Sequence, residues 1–293
     1  MAACCRSTPL KHEMRSDPLW GFGLYVGLAF GLSWTCWIPA VLSDQGMRSP
    51  PIQWLVYAGI LGPALAGLVL VYFVDDKARR ADYWARAVQF RRLRSAWLVP
   101  IFLIYPAATA VAFVLAYAVA GHGPDLQQAK HFAWNPLSIP GFMLWTLMLG
   151  PLPEELGWRG YALDRLQQKW TALTSSLMLG LIWATWHMPL FLVKGSYQNN
   201  LVLGSLSSGV YCVTIVLLSV LFTWIYNNNN RSTLSAILLH FVLNLTGTIL
   251  PGFPLADAFK ALVLAMVVAV VAVRWKSQTL VRAAQRTVGC FRP

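Results

Sequence analysis

Three clusters in this chain combine residue types able to activate water: Glu154-Glu155 with Arg159, His187 in Trp183-Ala-Thr-Trp186-His187, and His240 with Asn244. On a helix Arg159 lies four residues from Glu155, so the two face each other and can pair. Glu154 is rotated about 100° away and stays outside that pairing. A charge-balanced carboxylate beside an unpaired one keeps a base available while limiting the cost of burying charge. Pro153 with acids in the first turn would equally start a surface helix from Pro153 to Trp170.

His187 lies deep in an apolar run, before Met188-Pro189, whose proline frees a backbone carbonyl. A histidine in such a place reads more often as a packed, hydrogen-bonded residue than as a ligand or base. The i, i+4 spacing of His240 and Asn244 puts imidazole and amide on one helical face. Such a pair can join helices by hydrogen bonds, or offer two donors to a developing oxyanion.

The conjunction is more informative than any single cluster. His187 and His240 are the histidines of the apolar segments, Glu154 and Glu155 the acids well inside them, all within about 90 residues. Two chemistries use them together. One is hydrolysis of an amide by Glu-activated water, with His as partner and His/Asn stabilising the oxyanion. The other is a zinc site of the His-His-Glu kind with an open water position. The chain has no H-E-x-x-H, so the zinc version lacks its usual sequence support, and both chemistries stay open on the residues alone.

These residues must be positioned by membrane helices. Of the 293 residues, 57% are hydrophobic and 12% charged, far from a soluble globular domain. Eight apolar stretches occur, at 20–42, 52–73, 97–120, 139–158, 174–194, 201–226, 233–252 and 257–274. Backbone hydrogen bonds must close internally in lipid, and no alternating ten-residue strands are present, so the expected class is all-α: a polytopic bundle of about eight transmembrane helices. The run Ile139–Leu152 has 14 residues, about 21 Å of helix, and cannot cross a hydrocarbon core of about 30 Å. To span, it must draw the two glutamates and Arg159 into the membrane, where ionisable groups are expensive and by default functional. His240 and Asn244 lie roughly 11–17 Å from the near end of their segment and His187 roughly 16–21 Å. Glu154 reaches them only if its helix continues through at least Tyr161 with Arg159 buried and paired.

The net charge of +12 is distributed by loop. Alternate connections and the two tails hold 19 Lys and Arg, the opposite loops Arg48, Lys130 and Lys194, and Lys260 falls inside the last segment. This asymmetry predicts a multi-pass protein of the cell membrane with both termini cytoplasmic (N-in, C-in). The loop Lys77–Arg94, with Arg79, Arg80, Arg86, Arg91 and Arg92, is expected against anionic lipid headgroups. No nucleic-acid partner is expected. The first 19 residues lack an apolar core, so segment 1 reads as a signal anchor. Cys4, Cys5, Cys36, Cys212 and Cys290 have no metal or disulfide spacing and read as free thiols, Cys4-Cys5 acylation and prenylation at Cys290 being discounted. The chain reads as one integral membrane domain, 1–293. It divides into scaffold helices 1–138, a catalytic core 139–252, and a last helix with a basic tail 253–293.

The motifs resemble those of the CPBP family, the CAAX proteases and bacteriocin-processing enzymes also called Abi proteins. Its pattern is E-E-x-x-x-R, then F-x-x-x-H, then H-x-x-x-N/D on successive transmembrane helices. Glu154, Glu155 and Arg159 match the first, His187 the second, His240 and Asn244 the third; Trp183 stands where phenylalanine is usual. The resemblance covers roughly residues 140–250. It implies an intramembrane endopeptidase of the glutamic type, with no cofactor and no metal, in which Glu154 and His187 activate water. Glu155 and Arg159 would support the glutamate, and His240 and Asn244 would hold the oxyanion. The Trp183 departure is expected to alter pocket shape only.

The implied substrate is a membrane-associated or lipidated peptide or protein, reaching a cavity between the helices of segments 4, 5 and 7 from the cytoplasmic side. A non-catalytic immunity or scaffold protein would have no use for two carboxylates and two histidines in lipid. A proton-coupled transporter would carry an inverted repeat, which is missing. Sequence alone fixes neither substrate identity nor oligomeric state.

Overall fold

A computed structural model describes residues 18–281, so the readings made for Cys4, Cys5, Cys290 and the two tails lie outside the described residues. These are helical, with no strand among them. In chain order the helices are α1 (Pro18–Leu42), α2 (Pro50–Ile60), α3 (Gly62–Phe73), α4 (Lys77–Val88), α5 (Ser95–Ala120), α6 (Gln127–Trp134), α7 (Ile139–Met148) and α8 (Pro151–Gly157). They continue with α9 (Leu163–Gln167), α10 (Ala172–Trp186), α11 (Tyr197–Asn200), α12 (Leu206–Asn228), α13 (Thr233–Ile249) and α14 (Pro254–Arg274).

Five of these, α1, α5, α12, α14 and α10 with its extension to Leu192, are long and apolar enough to cross a membrane; α2 and α3, bent by 41°, make a sixth if taken as one span. The two expected spans that fall short carry the chemistry. Segment 4 is broken at Leu149-Gly150 into α7 and α8, and the helix of segment 7, α13, has 17 residues. Apolar side chains such as Leu103, Val114 and Val273 stay exposed on α5 and α14, as expected of surfaces that face lipid.

The core forms where α10 packs on α12, α1 on α3, and α14 on α5 and α12, with α8 held between α3 and α13. Close approach at α8 requires a glycine: a Cβ on Gly157 would lie 2.5 Å from the carbonyl oxygen of Pro63 and against the Tyr25 hydroxyl. After Gly157 the chain makes a π turn, Trp158–Ala162, in which every residue is buried. The extra residue per turn shifts the helical register there, a feature that recurs at functional sites. α8, this turn and α9 form one buried rod; the alternative of a surface helix over Pro153–Trp170 does not hold.

The bundle has two faces, each tied together by its connections. On the first, Arg92 donates to the Asn230 carbonyl (2.8 Å), the Ala172 amide to Gln278 (2.9 Å) and Asn227 to Thr279 (2.9 Å). On the second, Lys194 pairs with Asp44 (2.7 Å), the Met47 amide donates to the Lys194 carbonyl (2.8 Å) and the rings of His122 and Phe253 meet at a tilt, 4.6 Å apart. α4 lies on the first face, capped by Asp76, whose carboxylate accepts from the Arg79 amide. One of its arginines departs from the expected headgroup position. Arg86 turns inward to Asp164 (2.8 Å), the Tyr226 hydroxyl (2.6 Å) and the Gly160 carbonyl (2.9 Å).

Removing Asp164 strands a buried guanidinium, so Asp164→Ala should cost about 3–5 kcal/mol. Asp82→Ala, at a carboxylate 36% exposed, should cost about 0–1 kcal/mol. Thermal unfolding in detergent compares them, and an equal drop in midpoint would contradict this account of α4 docking.

Candidate active site

α8 supplies both glutamates. Gly150 breaks the preceding helix, and Pro151 occupies the first turn of α8, where no amide hydrogen is needed. The next turn then presents Glu154 and Glu155 about 100° apart. Both are buried, Glu155 and Arg159 completely. The Arg159 Nη1 donates to both oxygens of Glu155 at 3.0 Å. Arg159 is buried and paired, as the depth argument required.

The pair is enclosed by three other helices. Arg159 Nη2 donates to Ser219 Oγ of α12 at 3.4 Å. The guanidinium carbon lies 4.2 Å from the ring centre of Phe222 and 4.8 Å from that of Trp183, a favourable arrangement for a desolvated cation. His240 of α13 brings Nδ1 to 2.8 Å from Glu155 Oε1. Glu155 therefore joins α8, α12 and α13 at one point.

Among the described residues Glu154 has no ion-pair partner. Its Oε2 accepts a hydrogen bond from the indole N–H of Trp183 at 2.7 Å, and Oε1 accepts none from the described residues. A carboxylate so held has one oxygen fixed and one free. Trp183 does more than fill space, since phenylalanine at this position could not donate. It also sets His187, whose Nδ1 bonds to the Trp183 carbonyl at 2.8 Å. A carbonyl only accepts, so Nδ1 carries that hydrogen and the neutral ring keeps its lone pair on Nε2. The Trp183 ring meets His240 edge-on at 5.5 Å.

Glu154, His187, His240 and Asn244 line one cavity of about 610 Å³. Asn244 faces the chain break: a Cβ on Gly150 would come within 2.9 Å of its Nδ2 and 3.8 Å of Glu154 Oε1. The expected residues of the three motifs thus converge around one space. Sequence reasoning missed Ser219 and Phe222, which hold Arg159, and Tyr211, whose ring meets His187 at 5.8 Å. Nothing in α12 marks them, because serine and aromatic residues are ordinary in an apolar helix. Asp257 and Lys260, paired at 2.6 Å, line the same cavity from α14; Lys260 was legible as a cation inside an apolar segment.

No group of three His, Cys, Asp or Glu side chains among the described residues converges as metal ligands. The donors are already committed: both Nδ1 atoms and one Glu154 oxygen hold protein partners. The lining runs on to Met47, Tyr197, Gln198, Pro251 and Gly252, toward the connections of the second face.

Comparison with known proteins bears on the chemistry. Residues 136–246 match the profile of the family described as Type II CAAX prenyl endopeptidase Rce1-like. That stretch contains all three motif clusters. The chain is similar to the CAAX prenyl protease 2 of Methanococcus maripaludis, with 27% identity over 229 residues, 78% of this chain and 84% of that protein. The resemblance carried by Glu154-Glu155-Arg159, His187 and His240-Asn244 is thereby borne out: this multi-pass membrane chain matches the Rce1-like CAAX prenyl endopeptidase profile across all three clusters.

Proposed function

We propose that the protein is an intramembrane endopeptidase that hydrolyses a peptide bond of a membrane-associated or lipidated polypeptide, using water activated by Glu154 and His187. The observation that carries this reading is the free oxygen of Glu154, held on the wall of a cavity it shares with His187, His240 and Asn244. A water between Glu154 Oε1 and His187 Nε2 would meet two acceptors. Glu154 takes its proton as the water oxygen bonds to the scissile carbonyl carbon, whose π electrons move to the carbonyl oxygen. Collapse of the tetrahedral intermediate breaks the C–N bond, and the proton held on Glu154 passes to the leaving amine.

The oxyanion needs donors, and Asn244 Nδ2 supplies one. His240 gives its Nδ1 hydrogen to Glu155, so it offers a second donor from Nε2 only as imidazolium. In that state two carboxylates face one guanidinium and one imidazolium, and the cluster is neutral overall, the arrangement least costly in a medium of low polarity. Glu155 and Arg159 are positioning residues in this scheme. Catalysis needs no metal here, and the name of the Methanococcus relative supports a lipidated, C-terminally processed polypeptide as the substrate class.

Cleavage of a peptide library that includes farnesylated members provides the test. Glu154→Gln should lower kcat about 10²–10⁴-fold, the usual contribution of a general base, with the unfolding midpoint unchanged. Glu155→Gln should lower that midpoint as well, because it uncovers Arg159. A chelator should leave the rate alone. Cleavage that persists in both Glu154→Gln and His240→Ala would overturn the mechanism, and loss of activity on chelation would favour zinc.

Trp183→Phe isolates the indole bond. A hydrogen bond to a charged group contributes about 1.5–3 kcal/mol, so kcat should fall roughly ten- to hundredfold while KM stays within error. A change in KM alone would reduce Trp183 to pocket shape.

A further inference from the structure

One charged pair on the cavity wall takes no part in the chemistry above. Asp257 and Lys260 line the same space as Glu154. They stand three residues apart on one face of α14, and the ammonium donates to Asp257 Oδ1 at 2.6 Å. Apart from these two, α14 has no charged residue before Arg274. A carboxylate in the first turn of a helix has a ready explanation, because it meets the positive end of the helix dipole. A lysine one turn later has none, since cations are favoured at the opposite end. Ionisable groups among spanning helices are by default functional. Lys260 therefore needs a reason beyond helix geometry.

The surroundings hold that ammonium in one place. Nζ lies 5.6 Å from the ring centre of Tyr105 on α5, a residue only 6% exposed, within reach of a cation–π attraction. Asp257 packs against the loop after α13, where a Cβ on Gly252 would collide with its Oδ1. The Lys260 side chain is 12% exposed and that of Asp257 21%, so the pair is neither solvated as on a surface nor sealed off. An ammonium has three hydrogens. Asp257 takes one and compensates the charge, which leaves capacity for a second acceptor. Tyr105 and Tyr197, whose phenols can also donate, line the same cavity. The pair is set apart from the reacting groups. From His240 to Ile249 α13 rises about 14 Å before the chain reaches Gly252, a span that an extended peptide covers in a few residues. A polypeptide lying across Glu154 can thus bring a group near its end to Lys260.

We propose that Lys260 is a specificity-determining residue that takes the free C-terminal carboxylate of the substrate, with Asp257 as the counter-charge that holds it ready. A carboxylate is the anion that every polypeptide carries at its end, and it offers the acceptors that a partly engaged ammonium lacks. What the carboxylate belongs to rests on the hydrolase reading above; that Lys260 binds one in this cavity does not.

The test takes the best-bound member of a farnesylated peptide library in three forms: free acid, C-terminal amide, and an amide with glutamate as its last residue. Binding to the full chain carrying Glu154→Gln is read by fluorescence anisotropy in detergent. The free acid should bind about ten- to hundredfold tighter than either amide, the discrimination a hydrogen bond to a charged group supplies. Lys260→Met should bring the acid to the level of the plain amide and leave the amide unchanged. Asp257→Asn combined with Lys260→Met strands neither charge, and should level the two forms with the unfolding midpoint kept. Equal binding of acid and plain amide before Lys260 is changed, no binding of either, or equal loss of both in the paired variant would overturn the proposal. A glutamate-ended amide bound as tightly as the acid would overturn the assignment to a chain end. With Glu154 restored, kcat/KM should show the same preference for the free acid. Binding as expected with cleavage of none of the three would count against the hydrolase reading, while the carboxylate site stands.

Discussion

A carboxylate among membrane-spanning helices must find its counter-charge and its hydrogen bonds within the protein, and Glu155 is where this bundle meets that condition. Its two oxygens take both hydrogen bonds from Arg159 and one from His240. Breaking a buried pair by removing one partner leaves an uncompensated charge, typically worth about 3–5 kcal/mol. Because the partners come from α8 and α13, and Arg159 in turn rests on Ser219 and Phe222 of α12, this requirement fixes the relative depth of three helices. The π turn after Gly157 follows from the same demand, since it accommodates the burial of Trp158, Arg159 and Tyr161 together.

With Glu155 neutralised, its neighbour is left free. Glu154 stands one residue earlier, on the side of the helix that faces the cavity, and the cations of the cluster are already engaged elsewhere. The sole hydrogen bond given to it by the described residues comes from a neutral indole. A bond from a neutral donor orients a carboxylate without cancelling its charge, and so keeps its basicity available. The two adjacent glutamates thereby differ in their surroundings, one engaged in an ion pair and one facing the cavity with an oxygen unbonded by the described residues.

The parts that were legible in sequence are those fixed by spacing along a helix or by the length of an apolar run. The i, i+4 relation of Glu155 and Arg159, and that of His240 and Asn244, follow from helical geometry. The shortness of Ile139–Leu152 implied that charged residues continue the same rod inside the membrane, and α8 with its π turn and α9 does so. Contacts between distant segments were not legible. The Trp183–Glu154 bond joins residues 29 apart on different helices, and Ser219 lies 60 residues from Arg159; their register depends on packing. Nor was the break at Gly150 readable as a break: an apolar run followed by Pro-Leu-Pro reads equally as one helix with prolines in its next turn. Arg86 was misplaced for a related reason. An arginine in a basic loop reads as solvated until a buried Asp164 is found beside it.

The placement of charge and of water in this bundle have a common cause. A hydrolytic site within a membrane needs water, and the polar residues that hold an aqueous approach open must themselves stay wet. Here the cavity that holds Glu154 extends toward the connections of the second face, where Asp257, Lys260 and Tyr197 line it. The arginine-rich face is the sealed one, with its charges drawn into the Arg86–Asp164–Tyr226 network that docks α4. The cavity beside Glu154 and the cleft on the arginine-rich face share no lining residue, and the buried layer of Glu155, Arg159, Phe222 and Tyr226 belongs to neither. The same ion pair that satisfies Glu155 thus also forms the floor of the cavity, so the buried layer under Glu154 shapes that space as much as the residues that line it.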